Sequence, residues 1–223
     1  MKYPYTLKDG HIIFEVNDKI ILLDTGAPSS VGQGPFEFNG SRFDLKDNYL
    51  GLTKASLSEL AGFHIDVLMG ADIVGYQDIY INSRDNILEF SHNDSREGLN
   101  LPLEVFMGIP LLDVNINGKQ IKAFFDTGAK LSYVDPETVA GLEAVGRTED
   151  FYPGVGQFDT DIYRLKTVFG EKISMELDYG ILPSVLRLTL TMANVKGIVG
   201  TEIFKQVSCL LSIKRKELLL VKN

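Results

Sequence analysis

The chain has 223 residues, 44% apolar and 23% charged, with a mean hydropathy of +0.03, values of a chain that folds around ordinary cores. A formal charge of −8 and a pI of about 4.9 argue against a nucleic-acid partner. The single cysteine, Cys209, excludes an intrachain disulfide and points to a reducing compartment, and no apolar run of about 18 residues is present to cross a bilayer.

Taken in chain order, Met1–Thr6 lacks the apolar core of a signal peptide. A strand is expected soon after it, so neither a leader nor a propeptide is expected, and a cytoplasmic location follows. Ile12–Val16 and Lys19–Ile21 read as two strands joined by a tight turn, running through Leu22-Leu23 into Asp24-Thr25-Gly26-Ala27. Phe36–Leu45 predicts a small hairpin around Asn39-Gly40. Ser56–Glu59 has a capping-box pattern with Gly62 as a stop, and Val67–Gly70 is an apolar segment before a short helix. Ile79–Ile81 and Ile87–Phe90 form a strand pair. The polar stretch Asn93–Gly98 then reads as a linker, dividing the chain into residues 1–96 and 97–223.

The second part repeats the first. Leu111–Ile116 and Lys119–Ile121 flank an Asn117-Gly118 turn, and Phe124-Phe125 leads into Asp126-Thr127-Gly128-Ala129. Asp135-Pro136-Glu137 starts a short helical turn that Gly141 ends. Phe151–Phe158 is Gly-rich, with Gly154, Val155 and Gly156 at its centre, and the alternating run Ile162–Val168 follows. Gly197–Gly200 matches Val67–Gly70, again ahead of a short helix, and Leu210–Ile213 pairs with Leu218–Val221. Cys209 falls in an apolar strand, as a buried thiol.

A given tetrapeptide arises by chance in a chain this long with odds of roughly one in several hundred. Two copies of Asp-Thr-Gly-Ala, 102 residues apart and each behind an apolar strand, indicate an internal duplication. One such turn alone is an ordinary turn. Two carboxylates brought close enough to share a proton are a device for activating water against an amide.

These residues carry a family resemblance. The doubled Asp-Thr-Gly-Ala, with Leu68-Met69-Gly70 and Ile198-Val199-Gly200 as its doubled crossing segment, resembles aspartic proteases of the pepsin and retropepsin clan over nearly the whole chain. It looks like two retropepsin-sized lobes joined in one chain. The resemblance implies an all-β, bilobal, pepsin-like and retropepsin-like acid protease fold, with two pseudo-twofold related β-rich lobes and a few short helices. It implies an aspartic endopeptidase in which Asp24 and Asp126 act together on water, with no covalent intermediate. It assigns Thr25 and Thr127 to hydrogen bonds between the lobes, and it makes Gly26 and Gly128 the space through which N–H groups face the carboxylates. Ala27 and Ala129 then line the substrate cleft, and Lys130 is expected to pair with Glu202.

The spacing from Asp24 to Gly70 is 46 residues and from Asp126 to Gly200 is 74. The 28 additional residues hold the Gly-rich tip, so a single flap is expected around 150–168, with Tyr152, Gly154, Val155 and Gly156 at the substrate. The first lobe is expected to have a reduced flap or none. A catalytically weak peptide-binding protein of the same fold is the alternative, because Pro28 and Lys130 follow the two motifs where other polar arrangements are usual. His11, His64 and His92 lack metal-ligand spacing, and neither a nucleophile elbow nor a phosphate loop is present. The expected partner is a peptide or protein substrate, with no cofactor, metal, nucleic acid or membrane, and the chain is expected to act as a monomer.

Overall fold

Both halves of the chain are built around a tight hairpin that feeds an apolar strand into a turn. In the computed structural model, which describes residues 1–152 and 156–223, β1 (Lys2–Lys8), β2 (His11–Val16) and β3 (Lys19–Leu23) form an antiparallel meander. The β2–β3 turn holds Asn17 and Asp18 at φ 51° and 60°, the left-handed pair that a two-residue turn requires. Next come β4 (Pro35–Phe38) and β5 (Ser41–Asp44), joined at Asn39-Gly40 as the sequence predicts, then helix α1 (Lys54–Ala61). The half closes with β6 (Val67–Met69), helix α2 (Ala71–Val74), β7 (Asp78–Asn82) and β8 (Ile87–Ser91).

The second half adds β9 (Leu99–Pro102), β10 (Glu104–Phe106), β11 (Ile109–Ile116), β12 (Lys119–Phe125) and β13 (Ser132–Val134). Its longest strands follow: β14 (Gly146–Tyr152), β15 (Gly156–Phe169) and β16 (Ile173–Ile181). Helix α3 (Ser184–Met192), β17 (Gly197–Val199), β18 (Val207–Ser212) and β19 (Glu217–Lys222) complete it. Single 3₁₀ turns occupy Pro136–Thr138 and Thr201–Lys205.

The helix α1 begins earlier than the sequence pattern suggests. Thr53 is its cap, accepting from the Ser56 N–H at 3.2 Å while the Ser56 hydroxyl accepts from the Thr53 N–H at 2.9 Å. Ser56–Glu59 therefore lies inside the helix, and Gly62 ends it at φ 72°. Helix α3 has no sequence signal of its own: Pro183 precedes it and no side chain caps it.

The strands form two large sheets. One runs β10-β11-β12-β17-β13-β16-β15-β14, and the other runs β6-β3-β2-β1-β8-β7-β18-β19-β9. The second sheet draws on both halves, because β7 pairs with β18 through Ile79–Leu211, Tyr80–Leu210 and Ile81–Cys209. Alternation along the strands divides the core. Ile21 and Leu23 of β3, and Ala123 and Phe125 of β12, enter one large core shared by both halves. The intervening Leu22 and Phe124 point into two smaller clusters, one with Val31, Leu52 and Leu68, the other with Leu186, Leu190 and Ile198.

Candidate active site

Each aspartate is placed by a strand crossing. In the first half β3 runs parallel to β6, and the Asp24 N–H donates to Met69 O at 2.9 Å. The chain then passes through the loop it has just formed: Gly70 N–H donates to Ser30 Oγ at 2.9 Å and Ala71 N–H to Ala27 O at 2.8 Å. The second half repeats each bond. Asp126 N–H donates to Val199 O at 3.0 Å, Gly200 N–H to Ser132 Oγ at 3.0 Å, and Thr201 N–H to Ala129 O at 2.9 Å. Glycine is required at both crossings. A Cβ on Gly70 would stand 2.7 Å from Ala27 O, and one on Gly200 2.5 Å from Ala129 O.

The two turns are locked to each other by their threonines. Thr25 Oγ1 donates to Phe125 O at 2.7 Å and accepts from Thr127 N–H at 3.0 Å; Thr127 Oγ1 donates to Leu23 O at 2.9 Å and accepts from Thr25 N–H at 3.0 Å. All four bonds are buried, and each hydroxyl satisfies one backbone donor and one acceptor of the opposite half.

This lattice brings Asp24 and Asp126 face to face. Asp24 Oδ1 accepts from Gly26 and Ala27 N–H at 2.9 and 3.0 Å, and Asp126 Oδ1 accepts from Gly128 N–H at 2.8 Å. Each carboxyl also lies over the glycine of the opposite turn, where an added methyl on Gly26 would fall on Asp126 and one on Gly128 on Asp24. The two groups hydrogen-bond each other. Burial, the adjacent Asp126 charge and that hydrogen bond hold Asp24 well above the ordinary carboxylate range. Burial also raises Asp126, while the N–H groups and the bond from Asp24 favour its ionised form. Both carboxyls are thus held above their ordinary range, and they titrate as a coupled pair.

The comparisons with known proteins bear on this geometry. The crystal structure of aspartic proteinase from Irpex lacteus superposes with a TM-score of 0.58, covering 100% of this chain and 97% of that one at 11% identity. This is the aspartic protease fold. A retropepsin-like aspartic protease from Rickettsia conorii matches at a TM-score of 0.39 and 13% identity, over 56% of this chain and 96% of that one. No family model matches the chain, and no curated protein is similar to it in sequence.

In this aspartic protease fold the paired carboxyls sit at the floor of a cleft with largely apolar walls. Leu22, Val31, Leu52 and Leu68 form one wall; Phe124, Leu186, Leu190 and Ile198 form the other; Ala27 and Ala129 lie beside the dyad. Phe151 and Tyr152 from β14 and Phe158 from β15 cover the second side. Tyr152 is half-buried and feels the charge of both aspartates, which together with burial raises its phenol pKa. Gly156, at φ 85°, pairs with Tyr152 as the last strand pair before the turn of this hairpin. Gly154 and Val155 lie outside the described residues. From the first half, Tyr49, Leu50 and Leu52 reach the cleft on a short loop pinned by the Tyr49–Leu52 bridge. The β4–β5 hairpin does not line the cleft: Phe36 and Phe38 are buried in the main core.

Lys130 does not pair with Glu202. It packs against Gly10 in the β1–β2 turn, where an added Cβ would come 2.6 Å from the lysine Cβ, and its side chain follows that turn to Asp9 at 3.1 Å. Its second partner is Asp150 at 3.8 Å, a buried carboxylate that also accepts from the Tyr133 hydroxyl. Glu202 is engaged elsewhere, accepting from Asp178 N–H at 2.7 Å and pairing with Lys205 at 3.1 Å. Sequence reasoning weighed His11 only as a metal ligand, yet His11 lies in the cleft wall beside Gly128. Tyr49, Lys130 and Asp150 line the same cavity; Lys130 directly follows the second motif, and no motif announces that position for Tyr49 or Asp150. Among the described residues no group of three or more His, Cys, Asp or Glu is disposed to hold a metal ion.

Proposed function

We propose that this chain is an aspartic endopeptidase. Asp126, ionised, takes a proton from a water held between the carboxyls, and the oxygen attacks the peptide carbonyl. Asp24, protonated, hydrogen-bonds that carbonyl oxygen, and the tetrahedral diol collapses as a proton passes to the leaving nitrogen. No covalent enzyme intermediate forms. The observation that carries this reading is the facing pair of carboxyls, each held by N–H groups of its own turn and each raised by burial. Thr25 and Thr127 keep the turns in register, Gly26 and Gly128 give the carboxyls room, and Ala27 and Ala129 line the cleft. The hairpin around 150–168 serves as the single flap, with Tyr152 and Gly154–Gly156 over the substrate.

The apolar walls favour hydrophobic side chains on both sides of the cut. Both aspartates belong to one chain, which supports activity as a monomer, with lobes at 1–96 and 97–223. The lone cysteine, wholly buried in β18, suits a reducing, cytoplasmic setting. The test is cleavage of a mixed peptide library between pH 4 and 7. The parent is expected to release fragments, and Asp126→Asn to lose about 10²–10⁴-fold in kcat. A parent that binds peptides and cleaves none is instead the weakly catalytic or inactive peptide-binding protein.

A further inference from the structure

Strand β14 stands at the edge of its sheet, paired with β15 alone among the described residues. Of its seven residues only Asp150 is buried, at 8% exposure. Phe151 and Tyr152 follow it directly and line the cleft. An edge strand is usually pinned by apolar side chains; this one is pinned by a carboxylate, which is costly to bury unless it is paired and hydrogen-bonded.

The partners of Asp150 come from fixed parts of the second half. The Tyr133 hydroxyl of β13 donates to Oδ2, and Lys130 Nζ stands 3.8 Å from Oδ1, which also accepts from Phe151 N–H at 2.9 Å. Burial and the Asp150 charge raise the Tyr133 phenol pKa, so the hydroxyl keeps its proton and remains the donor. Phe158, opposite Asp150 in the β14–β15 register, packs on the same tyrosine with ring centroids 6.2 Å apart. Lys130 is itself held: its stem packs against Gly10, and Asp9 meets its ammonium at 3.1 Å. It directly follows Ala129, so the tie reaches the second Asp-Thr-Gly-Ala turn. Side chains alternate across a strand, and a slip of β14 by one residue would turn Asp150 away from both partners.

We propose that Asp150 is a positioning residue: Tyr133 and Lys130 hold its carboxylate, and this tie sets where Phe151 and Tyr152 stand in the cleft. The inference rests on the peptide-cleft reading above, but its first test needs no peptide. Hydrogen exchange of the free protein reports how often a strand leaves its place. In Asp150→Ala the β14–β15 amides are expected to exchange about tenfold faster, while those of β11–β12 keep the parent's rate. Lys130→Met keeps the stem against Gly10 and Tyr133→Phe keeps the ring. Each removes one partner and is expected to give a smaller rise in the same two strands. Lys130→Arg is expected to restore the parent's rate, and Lys130→Met added to Asp150→Ala to change nothing further.

A strand in place for a smaller fraction of the time weakens binding by that fraction. In the Asp126→Asn background, the Kd of the tightest octapeptide from a random library is expected to rise about threefold on Asp150→Ala. In the cleaving chain KM is expected to rise by the same factor, with a smaller change in kcat. Weaker binding with unchanged exchange would make Asp150 a substrate contact and overturn the proposal. A lower Tm with exchange raised equally in β11–β12 would make it a general packing residue and overturn it too. Should Asp150→Ala fail to fold, Lys130→Met and Tyr133→Phe decide by the same comparison of strands. The expected exchange and binding with no cleavage by the unmutated chain would sink the endopeptidase reading alone.

Discussion

Asp24 and Asp126 hold one proton between them because burial and mutual repulsion disfavour a second negative charge. That arrangement has a sign for stability. A carboxyl whose folded pKa lies above its unfolded value binds more protons in the folded state, so stability is greatest below the ordinary carboxylate range and falls as pH rises through the raised value. Asp24→Asn removes this loss. The variant is expected to have a flatter dependence of Tm on pH and a higher Tm than the parent at neutral pH, gaining about 2–4 °C per kcal/mol recovered, while peptide cleavage disappears. A lower Tm at neutral pH would contradict the shared-proton assignment. The neighbouring threonines act in the opposite direction. Thr25→Val strips a buried partner from both Thr127 N–H and Phe125 O, and thermal or urea unfolding should report a loss of about 2–4 kcal/mol. At this scale the motif residues were legible because their chemistry is local to a repeated tetrapeptide. His11 was not, since nothing around it in sequence says that β2 opens beside Gly128.

The hairpins could be read from their turns. Asn17-Asp18, Asn39-Gly40 and Asn117-Gly118 all take positive φ, and each joins the two strands expected of it. Where a capping pattern competed with a better one, sequence reasoning slipped: Thr53 and Ser56 cap each other, and the apparent box at Ser56–Glu59 became helix interior. The β14–β15 hairpin carries a prediction of its own. Tyr152 lines the same cleft as the carboxyl pair, and Tyr152→Ala is expected to open that side of it to water. A loss of about 10–100-fold in kcat/KM is expected from peptide-cleavage assays, with a modest fall in Tm because the half-buried ring also packs against the second-half apolar cluster. Tyr152→Phe, which keeps the ring, separates cover from hydrogen bonding: activity near that of the parent assigns the tyrosine to covering the site.

Across the whole molecule, the halves are joined by more than the two Asp-Thr-Gly turns. β18 and β19 come last in the chain, yet β18 pairs with β7 of the first half and β19 with β9. Asp78 at the start of β7 is buried against Arg215 of the β18–β19 turn, so an ion pair spans the same junction. Ending the chain after Gln206 would leave β7 and β9 unpaired along these edges, where Ile79, Ile81 and Leu101 are buried. Such a truncation is expected to abolish cooperative unfolding and to aggregate on purification. A truncated chain that unfolds in one sharp transition with the parent's Tm would show that the shared sheet is dispensable.

What the sequence determined by itself was the pair of apolar strands ending in identical turns, the segments that cross them, and the equivalent places of Asp24 and Asp126. These follow from patterns of a few residues, where periodicity and turn chemistry leave little choice. Tertiary structure alone decided the partner of Lys130, the cleft position of His11 and Tyr49, and the sheet that both halves share. Each depends on which distant strand edge or side chain arrives beside a given residue, a choice set by the packing of the whole core and carried by no local pattern.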